Sequence, residues 1–186
     1  MSGYSIALFL HLVGVLTLFG GIAIEQTALR RLRTARSHGQ VREWLTLLRG
    51  LRRIDAPAGL TILASGGYLA THGAGHHAWV AAGIVGMVLM AVLGAVIGRP
   101  RFLAIVSTLP AADGPVASPL RQRLEDPVLR ASAAARAALA LGIVFDMTVK
   151  PAAAGAVAAL VVGLVIGVTT SLRSGAGARG ALAANE

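Results

Sequence analysis

The sequence predicts an all-α, polytopic integral membrane helix bundle. About five transmembrane helices are expected, with the N-terminus outside and the C-terminus cytoplasmic; four spans are the alternative. Three observations carry this. Of 186 residues, 55% are hydrophobic and 13% charged, too apolar a balance for an ordinary soluble domain. The mean hydropathy is +0.72. The apolar residues also fall into runs approaching the roughly 20 helical residues that cross a bilayer core of about 30 Å. This composition excludes a disordered chain. With no cysteine, disulfides, thiolate metal sites and thiol chemistry are excluded as well.

The first span, residues 4–24, is broken only by Ser5, His11 and Thr17 and ends at Glu25. No basic stretch precedes it and no small-residue cleavage site follows, so it reads as an uncleaved anchor. Residues 26–55 form a basic cytoplasmic segment. Within it, Gln40 to Ile54 alternates Leu45, Leu48 and Leu51 with Arg49, Arg52 and Arg53, the pattern of an amphipathic helix lying on the inner headgroups. The second span, 56–71, is short; Asp55 is placed to cap it and Pro57 suits its first turn. A turn from His72 to Ala78 leads to the third span, 79–98, closed by Arg99-Pro100.

Residues 99–130 read as a cytoplasmic loop, turn-rich from Pro110 to Pro119, with Asp126-Pro127 starting the next helix. That helix carries the fourth span, 131–149. It reaches membrane width only if Arg136 snorkels to the interface. Lys150-Pro151 then breaks the chain before the fifth span, 152–172.

Charge placement sets the orientation. Eight arginines lie between Arg30 and Arg53, whereas the turn from His72 to Ala78 has none. With five spans all 16 arginines fall on the cytoplasmic side and only Lys150 lies outside, as the positive-inside rule requires. Tyr4, Tyr68 and Trp79 then sit at the outer interface and Trp44 at the inner one. The expected location is the inner (plasma) membrane, multi-pass. The net charge of +9 would suggest nucleic acid in a soluble protein, but arginines spread along every inner loop match anionic headgroups and not one concentrated groove.

Several residues are candidates for more than packing. Gly155, Ala159, Gly163 and Gly167 repeat every four residues on the fifth span, and Gly86, Met90, Gly94 and Gly98 on the third. Such faces serve close helix packing within the chain, or contact with a second copy or another membrane partner. Ionisable groups inside a membrane are costly and therefore more informative. His11 lies about seven residues into the first span, roughly 10 Å below the outer surface. Asp146 and Lys150, four residues apart at the outer end of the fourth helix, are expected to share a face, with Asp146 near the level of His11.

These three groups are the candidate cofactor-binding site, His11 being the metal ligand. The bland alternative has Asp146 and Lys150 neutralising each other while His11 donates to a carbonyl of a neighbouring helix. Glu25 is expected in an interfacial salt bridge with the arginine-rich segment. His72, His76 and His77 offer weak metal ligands whose spacing matches no ordered motif. No nucleophile elbow, His-Glu-x-x-His or paired acids on one helix face supports hydrolase or glycosidase chemistry.

The opening LHLVGVLTLFGG, with His11 ahead of Gly20-Gly21, and the later DMTVKP ending in Lys150-Pro151 resemble the first and a late span of a group of small bacterial integral-membrane proteins. That group includes uncharacterised families, the membrane domain of CopD-type copper-resistance proteins and the HemJ-type protoporphyrinogen oxidases. The resemblance covers about 60 of the 186 residues. It implies a bound b-type haem, with a first-span histidine and the lysine of the Lys-Pro pair needed for activity; the matching positions are His11 and Lys150. HemJ-type proteins carry a Trp before the small pair and an Asn-Glu-x-Pro-Thr segment before the late span. Leu18-Phe19 and the Ala-rich Arg130 to Ala140 stand there instead, which weighs against protoporphyrinogen oxidation itself. Three functions follow as expectations. They are a haem or redox membrane protein, a copper or small-solute transport element using His11, Met90, Met147 and the outer histidines, and a non-catalytic subunit packing on a partner.

Overall fold

The computed structural model describes residues 2–74 and 77–183, side chains included for 2–72 and 77–170. Among the described residues the chain is helical, with one isolated β-bridge between Ser37 and Pro115. Helix α1 spans Gly3–Thr34, its N-terminus capped by Ser2, whose side chain accepts from the Ser5 N–H. At 32 residues it is about 48 Å long, so its last third projects beyond a hydrocarbon core of about 30 Å. Helix α2, His38–Leu69, returns antiparallel along α1 and ends in a π-helical turn, Ala70–Ala74. The path continues through α3, Ala78–Val92, a π-helical stretch Leu93–Gly98, and α4, Arg99–Thr108. After α5, Ser118–Leu124, the long pair α6, Pro127–Val149, and α7, Ala153–Ala183, completes the bundle.

Four helical stretches are long and apolar enough to cross a membrane: Gly3–Thr34, Ala78–Thr108, Ser118–Val149 and Ala153–Thr170. Residues 56–71 are not among them, although they lie against α1: a Cβ on Gly14 would touch Ile62, and one on Gly3 would touch the Tyr68 hydroxyl. Large side chains on these helices face outward uncovered, Leu16 at 73% and Phe9 at 64% among them. Such surfaces suit lipid and not water.

Three local expectations are corrected. Asp55 and Pro57 do not open a helix but lie within α2, which starts at Ser37, where the side chain accepts from the Gln40 N–H. Consequently Gln40 to Ile54 does not lie on headgroups. Leu45 and Leu48 are buried in a core with Leu32, Phe102, Ile105 and Leu124, so α2 needs that stretch to cover the projecting third of α1. Arg99-Pro100 does not close the third helix either, and 99–130 is not simply a loop. Pro100 stands in the first turn of α4, where its missing N–H costs nothing, and the rod continues to Thr108.

Other boundaries follow the sequence. Asp126 accepts from the Val128 N–H and starts α6 with Pro127. Lys150 ends α6 in a left-handed conformation, φ 52°, its N–H donating to the Asp146 carbonyl before Pro151 turns the chain into α7.

The helices alternate in direction and define two ends, one carrying Tyr4, Tyr68, Trp79 and Lys150, the other most of the arginines. A second apolar core, including Ala82, Met90, Leu139, Ile143 and Leu160, joins α3, α6 and α7, and Leu18, Phe19 and Ile22 of α1 pack against it.

Candidate functional site

Above Leu18 and Phe19 the α1–α2 hairpin parts from α3 and α6, leaving a cleft of about 380 Å³ at the Tyr4 end. Its wall is mostly aliphatic and methionine side chains with glycine backbone. The side chains able to make polar contacts there are Tyr4, His11, Trp79, Thr148 and Lys150. A volume within the usual 300–1,000 Å³ range, apolar walls and a few convergent polar groups are the marks of a small-molecule site.

His11 is fixed by α2. Its Nδ1 lies 3.2 Å from the Ile62 carbonyl and 3.3 Å from Ser65 Oγ. The Ser65 hydroxyl donates to the Thr61 carbonyl, and a carbonyl can only accept, so Nδ1 carries the proton and Nε2 keeps its lone pair. A histidine whose Nδ1–H is held by a backbone carbonyl has the arrangement that orients metal-ligating imidazoles. Gly66 makes room for the ring, since a Cβ there would come within 3.1 Å of Cε1. Ser65 and Gly66 were not among the sequence candidates; the small run Ser65-Gly66-Gly67 inside an apolar stretch was the available signal.

Lys150 lines the same cleft, its Nζ 5.6 Å from the centre of the Trp79 ring, within cation–π range. Asp146 does not join them. It is fully buried, and neither carboxyl oxygen has a partner among the described residues. The expected shared face of Asp146 and Lys150 is lost because Lys150 leaves the helix in its left-handed cap, and no ion pair forms between them. His11 and Lys150 are thus brought to one cleft and Asp146 is set apart from it.

The other candidates fall elsewhere. His72 stacks on Tyr68 with ring centres 4.0 Å apart, and His77 precedes α3 beside Trp79; His76 lies outside the described residues. Among the described residues no three His, Asp or Glu side chains group as metal ligands. Glu25 pairs not with the arginines next to it in sequence but with Arg136, at 2.5 Å, both side chains 17% exposed. Arg136 therefore reaches a carboxylate on α1 where snorkelling to the interface was expected. Beside it, Gln26 donates to the Ala133 carbonyl at 2.9 Å, and Ser132 donates to the Leu93 carbonyl at the start of the π-helical stretch.

The glycine faces are occupied within the chain. A Cβ on Gly163 would lie 2.9 Å from the Ala138 carbonyl oxygen and one on Gly167 2.7 Å from that of Ala134, so α6 and α7 touch backbone to backbone. Gly86 likewise receives Ile143.

No protein-family profile, curated protein or solved structure matches the chain.

Proposed function

We propose that this is a multi-pass protein of the plasma membrane that binds an amphipathic small molecule with an acidic end in the cleft at the Tyr4 end, a b-type haem being the first ligand to test. One observation carries the reading: His11, with its Nδ1–H held by α2 and Nε2 left as a lone pair, lines an apolar cleft that Lys150 also lines. The residues fit such a group in kind. Nε2 would serve as axial ligand, the aliphatic walls would take the macrocycle, and Lys150 would meet a propionate. A bound haem would supply one-electron redox chemistry; the chain's own part is to hold it, orient it and keep water away. The resemblance of the His11 and Lys150-Pro151 segments to haem-binding membrane proteins points the same way.

The same reading places α2 in the membrane as a fifth crossing, the Tyr4 end outside and all 16 arginines inside. The outward exposure of Leu60, at 67%, on the half of α2 that follows α1 supports this. A topology reporter inserted at Gly75 should read external, and one fused after Glu186 cytoplasmic. An external signal at Glu186 would overturn the five-span scheme. The absorption spectrum of detergent-purified protein should show a Soret band. A colourless protein with bound copper would favour the soft-ligand reading instead, since Met87 and Met147 line the cleft with His11 while Met90 is buried in the core. A protein carrying neither would favour the non-catalytic subunit.

A further inference from the structure

At the opposite end of the molecule a second recess, of about 240 Å³, lies between α1 and α6 and reaches Thr170 of α7. Its charged lining residues are Arg30, Arg33 and Arg130; Gln26, Leu29, Ala134 and Thr170 complete it, and no carboxylate is among them. Glu25, one turn away on α1, is already engaged by Arg136, and Asp126, at the start of α6, by Arg101 at 3.0 Å. The arginine charge in the recess is therefore uncompensated by the acids nearest to it in sequence. Arg33 is half-buried, and its Nε is buried without a partner among the described residues. A buried guanidinium N–H left unmet is costly unless something outside the chain accepts from it.

We propose that this recess is a phosphate site, taking the phosphate of an anionic phospholipid headgroup or a free phosphate. The positive-inside tendency accounts for arginines on one side of a membrane, but it does not bring guanidiniums from positions 30, 33 and 130 to one hollow between helices. Arginine suits this task because its planar fork matches phosphate oxygens in pairs. Leu29 and Ala134 supply an apolar flank, and a recess between membrane-crossing helices at the arginine-rich end is where headgroups are recognised. The site is separate from the cleft at the Tyr4 end, and neither proposal depends on the other.

The test uses the full chain, delipidated in detergent. It is titrated with phosphatidylglycerol, with phosphatidylcholine and with inorganic phosphate, and bound ligand is counted by native mass spectrometry for the lipids and by calorimetry for phosphate. Saturable uptake of phosphatidylglycerol over phosphatidylcholine identifies a lipid headgroup; saturable uptake of inorganic phosphate alone identifies a soluble phosphate. In either case Arg30→Gln, an exposed side chain whose loss should leave the fold intact, should weaken binding about fivefold, and Arg30→Gln/Arg33→Gln about 25-fold. Arg49→Gln, on the exposed surface of α2, should leave it unchanged. The proposal is overturned if neither ligand binds saturably, if phosphatidylcholine binds as well as phosphatidylglycerol, or if Arg49→Gln weakens binding as much as Arg30→Gln.

Discussion

The same helices are fastened at one end of the molecule and left apart at the other. At the arginine end α1, α2, α4 and α5 enclose a core in which Leu32, Leu45 and Ile105 are at most 2% exposed. Side chains and backbone tie that end across long stretches of sequence. Arg121 donates to the carbonyls of Arg33 and Ala35 at 2.7 and 2.8 Å, Arg42 to those of Pro110 and Ala111, and His38 Nδ1 to that of Ala112. At the Tyr4 end the α1–α2 hairpin meets the α3–α6 pair only across an apolar cleft, with His11 held to its own hairpin and Lys150 to the other side. Rigidity at one end and an opening at the other is how a small bundle can hold a cavity without collapsing onto it.

The largest effect should come from cutting the tie at the base of the cleft. Glu25→Gln leaves Arg136 without its counter-charge in a site where both side chains are 17% exposed. Unfolding in detergent should then become easier by about 3 kcal/mol, whereas Glu25→Gln/Arg136→Met should recover most of the loss. Equal destabilisation of the single and double variants would mean that packing, and not the pair, fastens the two halves.

A smaller effect separates helix faces that touch backbone from faces that touch nothing. At Gly167 an added Cβ meets Ala134 and Ala135 backbone within 2.8 Å, and backbone cannot swing aside, so Gly167→Ala should cost about 1–3 kcal/mol. Gly20 has nothing within 4 Å, and Gly20→Ala should be neutral or stabilising by up to about 1 kcal/mol. Similar melting shifts in the two variants would remove the close α6–α7 contact from the account.

The smallest effect concerns the loop that closes the arginine end. Asp113 accepts from the N–H groups of Gly39, at 2.8 Å, and Gly114, at 3.0 Å, and these bonds hold its carboxyl below the usual carboxylate range. A group depressed on folding stabilises above its unfolded pKa, about 3.9, and loses that contribution as pH falls through the folded value. Asp113→Ala should therefore lower the melting temperature slightly at neutral pH, and the two proteins should converge under acid. A gap that widened towards low pH would contradict the assignment.

Much of this contrast was legible where local chemistry decides. Asp126-Pro127 and Lys150-Pro151 mark helix ends through capping and proline sterics alone, and both stand in the structure. Asp55-Pro57 and Arg99-Pro100 carry similar signals yet lie within continuous helical paths. The reason lies in tertiary structure: the projecting third of α1 needs α2 and α4 extended beside it to bury Leu32, Leu45 and Ile105. The pairing of Glu25 with Arg136, 111 positions apart, left no local trace. Within the candidate site, depth along the helices was enough to bring His11 and Lys150 to one end. It could not show that a left-handed residue would take Lys150 off the face of Asp146.

The claim that the open end is a ligand cleft centred on His11 is tested most directly by titrating the purified protein with haem b, alongside His11→Gln and Lys150→Met. The wild type should take up one equivalent with the Soret shift of histidine ligation. His11→Gln should lose that shift while its thermal stability falls by no more than about 1 kcal/mol, because glutamine can still donate to the Ile62 carbonyl. Lys150→Met should bind more weakly without losing the histidine signature. A wild type that binds no haem, or a His11→Gln variant that gives the wild-type spectrum, would contradict the account.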